Sequence, residues 1–96
     1  MATEFVIYNP GGPDLEFEGE CLLDRYYQGM GRLRVYETSG GKFILQQERN
    51  ASRNSTALHR VEVYETFNDL AGELSKSWAG KDILERFGQP FRISID

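Results

Sequence analysis

Leu15-Glu16-Phe17-Glu18-Gly19-Glu20-Cys21 (residues 15–21) alternates without a break, with Leu15, Phe17, Gly19 and Cys21 on one side and Glu16, Glu18 and Glu20 on the other. Successive side chains of an extended chain project to opposite faces, so a period of two marks a strand with one face buried and one wet. The stretch puts a sheet at the centre of the fold. It also puts Cys21 among the inward residues, where a thiol packs as a small hydrophobe. Leu22-Leu23 interrupts the alternation, as a bulge or sharp bend before Asp24 would.

Residues 4–8 are rich in Phe, Val, Ile and Tyr and read as a strand, closed by the turn Asn9-Pro10-Gly11-Gly12-Pro13-Asp14. On the other side, Gln28-Gly29-Met30-Gly31 is a turn. Residues 32–38 then alternate, Ser39-Gly40-Gly41 reverses the chain, and 42–48 returns, so 32–48 is a β-hairpin. Residues 49–56 are polar and predict a loop; a fifth strand follows over 58–64 with Val61 and Val63 inward.

The period then changes from two to three and four. Phe67, Leu70, Ala71, Leu74 and Trp78 fall on one helical stripe, and Thr66 with Asp69 resembles a capping box. At roughly 100° per residue, Ile83, Leu84 and Phe87 centre about 150° away from that stripe, so one straight helix would expose one of the two clusters. The expectation is helices over 67–79 and 81–87, a break near Ala79-Gly80, and a stop at Gly88-Gln89-Pro90. Phe91, Ile93 and Ile95 alternate with Arg92 and Ser94, which predicts a C-terminal strand. The fold class is α+β: one domain over 1–96, a mostly antiparallel sheet of five to six strands, and one or two helices packed on one face.

At 96 residues and 27% charged, the chain suits one soluble core. One cysteine closes no intrachain disulfide, and one Cys with one His is too few for a structural zinc site, so neither metal nor cofactor is expected. No stretch approaches the roughly 20 apolar residues that a membrane helix needs. Met1-Ala2-Thr3-Glu4 lacks the basic start of a signal peptide, which makes the cytoplasm the expected location.

The net charge of −4 hides an asymmetry: residues 1–24 sum to −6, residues 25–60 to +5 and residues 61–96 to −3. The economical reading pairs the Glu16, Glu18 and Glu20 row with Arg32, Arg34 or Lys42 on another strand. The alternative is a basic surface for an anionic partner.

Reactive constellations are missing. His59 is the only histidine, no serine sits in a nucleophile elbow, and no H-E-x-x-H helix occurs, so no enzyme is expected. Gly40-Gly41-Lys42 is followed by a strand rather than by the helix that a phosphate-binding loop requires. Two sets of contact residues stand out. Tyr26, Tyr27 and Met30 beside a glycine turn could form an apolar patch for a protein partner, or could simply close the edge of the core. Arg32, Arg34 and Tyr36, with Arg25, Arg49, Arg53 and Arg60, could neutralise phosphate and stack on a base.

The stretch Leu33-Arg34-Val35-Tyr36-Glu37-Thr38-Ser39-Gly40-Gly41-Lys42-Phe43-Ile44-Leu45 resembles the VYxTxxGKxxL hairpin of the small bacterial EXLDI-type proteins. The tail Phe91-Arg92-Ile93-Ser94-Ile95-Asp96 is loosely similar to theirs, although Arg92 and Ser94 depart from the acid-x-Leu-Asp-Ile signature. The resemblance implies a small prokaryotic domain with no established activity and no site residue.

The sequence therefore points to a non-enzymatic interaction module acting through a protein partner or self-association; a bacterial or mobile-element accessory or inhibitor protein would fit this size. The alternative is a nucleic-acid binder using the basic 25–60 hairpin and loop. A small enzyme or ligand carrier with a pocket between helix and sheet is the third reading.

Overall fold

A computed structural model describes residues 3–51, 53 and 56–87. Five strands, β1 (Thr3–Ile7), β2 (Leu15–Tyr27), β3 (Gly31–Thr38), β4 (Phe43–Arg49) and β5 (Leu58–Tyr64), precede two helices, α1 (Phe67–Leu74) and α2 (Trp78–Arg86). The strands pair in chain order, each antiparallel to the next, so every connection is a hairpin. The α+β class stands. The expected C-terminal strand lies outside the described residues, leaving a sheet of five strands.

The bulge at Leu22 organises the rest. Cys21 lies opposite Tyr36, but Leu23 lies opposite Val35, so one extra residue sits in β2 between them. Because the side-chain period is two, that residue switches which face the odd-numbered positions take. Before it, Leu15 and Phe17 share a face with Tyr36; after it, Leu23 and Tyr27 share the opposite face with Leu33 and Val35.

One long strand thereby feeds two cores. On the helix side, Leu23, Tyr27, Leu33, Val35, Phe43 and Leu45 meet Leu70, Leu74, Ala79, Ile83 and Leu84. On the other side, Ile7, Tyr36 and Ile44 are buried among Phe5, Leu15, Phe17 and Val61. Residues of β1 can reach Ile44 of β4 and Val61 of β5 only because the sheet curls away from the helices, bringing the Tyr8 ring to 5.4 Å from the His59 ring. The helices pack on one face, as expected, but the opposite face, expected to be wet, also buries apolar side chains.

Further corrections follow from the same geometry. Cys21 is exposed rather than buried; among the described residues β1 pairs along β2 as far as Gly19. Val61 packs half-buried against the inner-face core, as expected, whereas Val63 is exposed. The Glu16, Glu18 and Glu20 row does not meet the arginines. It lies opposite Val6, Glu4 and Glu37, on the face away from Arg32 and Arg34, and Lys42 reaches Glu65 instead at 3.6 Å.

The helix break falls earlier than angular spacing alone places it. α1 ends at Leu74, and Ser77 caps α2 by accepting a hydrogen bond from the Gly80 N–H at 3.0 Å, much as Thr66 accepts from the Asp69 N–H at 3.1 Å to cap α1. Gly80 is required because any Cβ there would overlap the Leu74 carbonyl. Trp78, starting α2, leaves the predicted stripe and is 61% exposed, its ring edge-on to that of Tyr27. Among the described residues no helix is long and apolar enough to cross a membrane.

Candidate functional site

The inner face of the curled sheet is apolar at one end and polar at the other. Along β3 it runs Tyr36, Arg34, Arg32, and along β4 Ile44, Gln46, Glu48, with the register setting Arg34 opposite Gln46 and Arg32 opposite Glu48. β2 supplies Asp24 and Tyr26 opposite Arg34 and Arg32, and β5 supplies His59 opposite Glu48. The polar end opens into a hollow of about 470 Å³ bounded by Tyr26, Gly31, Arg32, Arg34, Glu48 and Arg49, with the turn at Gly29 and the chain at Asn50-Ala51 as its rim.

Carboxylates hold two of the three guanidinium groups at this hollow. Arg32 makes a bidentate pair with Asp24, Nε to Oδ1 at 2.6 Å and Nη2 to Oδ2 at 2.7 Å. That donor pair holds the Asp24 carboxyl below its ordinary range. Arg34 Nη1 donates to Glu48 Oε1 at 2.7 Å and reaches Gln46 Oε1 at 3.4 Å, while its Nε lies 3.5 Å from Asp24 Oδ2. Arg49 is held by backbone carbonyls, donating to that of Thr56 at 3.2 Å and that of Gly29 at 3.4 Å. Gly31, at φ 85°, lets β3 begin where a side chain would strike the Glu48 carbonyl.

A guanidinium carries five N–H donors, and the hydrogen bonds seen among the described residues use two on each of these three arginines. Three cations face two carboxylates, which leaves the site net positive. Tyr26, 73% exposed, stands at its mouth. The arrangement can hold an anion: it offers fixed guanidinium donors for the charge and an aromatic ring for apolar contact.

Behind the hollow, Tyr36 O–H donates to Gln46 Oε1 at 3.3 Å, and Gln46 Nε2 lies 3.3 Å from Glu48 Oε1 and 3.4 Å from His59 Nε2. An amide NH₂ only donates, so that last contact is a hydrogen bond only while His59 Nε2 is unprotonated. His59 does not line the hollow. Among the described residues no His, Cys, Asp and Glu group could hold a metal ion.

The sequence-selected residues divide. Tyr26, Arg32, Arg34 and Arg49 converge on the hollow. Tyr36 is buried behind it against Phe5 and Phe17. Tyr27 lies on the helix side, 6% exposed, with its O–H donating to Asp82 Oδ2 at 2.8 Å; it is a core residue, not part of an open patch with Tyr26. Met30 packs half-buried on the helix-side core and its carbonyl accepts from Gln47. Arg60 also faces the helices, 3.8 Å from Glu73, beside a smaller cavity of about 200 Å³. Arg53 is exposed in the β4–β5 connection.

Asp24, Gln46 and Glu48 were missed. The hairpin turn centred on Gly40 already sets 32 opposite 48, so Glu48 was within reach of the sequence, whereas Asp24 required the bulge. No protein-family model, curated protein or solved structure matches the chain.

Proposed function

We propose that this chain is a non-enzymatic protein-interaction module whose contact surface is the Tyr26/Arg32/Arg34/Arg49 hollow, and that it receives an acidic segment of a protein. The convergence of those side chains, with carboxylates holding Arg32 and Arg34 and backbone carbonyls holding Arg49, carries the reading. Preorganised guanidinium groups lose little conformational freedom on binding, so each new charge-assisted bond contributes more.

The nucleic-acid reading has less support. A backbone-tracking surface needs a continuous basic stripe. The bases of 25–60 are divided instead: Arg32 and Arg34 face the inner side, Arg25 and Arg60 lie in register on the helix side, and Lys42 pairs with Glu65.

Fluorescence anisotropy with a labelled hexaglutamate peptide tests the proposal. Binding should appear at low salt and weaken with added salt. Tyr26→Glu, which places a negative charge at the mouth without touching the core, should weaken it at least about tenfold. No binding to the peptide, or an oligonucleotide of equal charge held more tightly than the peptide, would overturn the reading.

A further inference from the structure

The described residues leave one strongly charged surface without counter-ions. On the outer face of β1 and β2, beyond the helices, Glu18 lies directly opposite Glu4 and Glu20 directly opposite Glu37, with Glu16 beside them and exposed Val6 among them. Like charges at directly opposed positions destabilise a sheet. None of these five carboxylates has an ion pair among the described residues.

We infer that the occupant of the hollow is a second copy of this chain, presenting its Glu16–Glu18–Glu20 row. The inference rests on the hollow being the contact surface proposed above. Its own support is the match between the two surfaces. Glu18 and Glu20 are two residues apart on one face of β2; Arg32 and Arg34 are two residues apart on one face of β3. Both pairs thus repeat at the same strand spacing, roughly 6.5–7 Å, so two carboxylates can meet two guanidinium groups in register. The acidic row and the arginines project from opposite faces of one sheet, so a copy cannot satisfy itself; the pairing is between molecules. The two surfaces differ, which makes the contact heterologous and head-to-tail, closing into a ring or extending as a chain.

Sedimentation velocity of the full chain at about 20 mM and about 500 mM NaCl reads this out. Concentration-dependent species larger than a monomer should form at low salt, with the apparent dissociation constant rising at least about tenfold at high salt. Two variants then isolate the surfaces: Glu18→Lys with Glu20→Lys removes the acidic row, and Tyr26→Glu blocks the hollow. Both change exposed side chains. Each should be monomeric alone, and an equimolar mixture should form a dimer that cannot grow, because only one intact row and one intact hollow remain. A wild-type chain monomeric at low salt, or a mixture that stays monomeric, would overturn the inference. If hexaglutamate still binds while the chain stays monomeric, the hollow remains a contact surface and only the second copy is excluded.

Discussion

The helix-side core and the inner face of the sheet are built from the same five strands, yet they end differently. On the helix side, Val35, Leu70, Ala79, Ile83 and Leu84 are sealed between two layers. On the inner side, among the described residues, β1 covers one end, over Phe17 and Tyr36, and the other end is left to Arg32, Arg34 and Glu48. The difference shows where each face can work. A sealed layer supplies stability, and a face uncovered at one end can hold charged groups in fixed positions while keeping them reachable.

Truncations on the two sides test that contrast. Ile83→Ala, at a fully buried position, should cost about 2–5 kcal/mol in urea melts, as buried aliphatic truncations do. Phe17→Ala, which removes a half-buried ring stacked on Phe5 and edge-on to Tyr36, should cost less, about 1–3 kcal/mol. Equal losses would show that the inner face is as much a core as the helix side, and the contrast would fail.

The two sides also differ in how they respond to pH. Burial pushes the Tyr64 hydroxyl on the helix side from 10.0 to about 12. The folded chain then holds that proton more tightly than the unfolded chain, so stability is intact below pH 10 and declines as the pH rises toward 12. Tyr64→Phe should flatten part of the alkaline decline seen by circular dichroism. The smallest effect belongs to the open end. Asp24 is held below its ordinary value of 3.8 by the Arg32 pair, so its contribution is present above that pH and is lost as the pH falls through the lowered value. Because the pair is solvent-exposed, Asp24→Asn should change acid stability only slightly.

The hairpin over 32–48 and the strand beginning at Leu15 were legible because their signals are local: alternation and a glycine turn. The two-helix break was legible in kind, since 100° per residue separates the clusters, but its position depended on Ser77 outcompeting helix continuation as a cap and on Gly80 fitting against Leu74. Reading Tyr26 and Tyr27 as one patch failed for a simple reason: neighbours on a strand face opposite ways.

Residue order alone therefore determined the class of fold, the strands and helices, and most of the side chains now found around the hollow, because periodicity and turn chemistry act within a few residues. Tertiary structure decided which side chains share a face. A single extra residue at Leu22 and the curl of the sheet bring Asp24 to Arg32, keep the glutamate row away from the arginines, and open one end of the inner face. Those outcomes depend on register between distant strands, which only the packed sheet fixes.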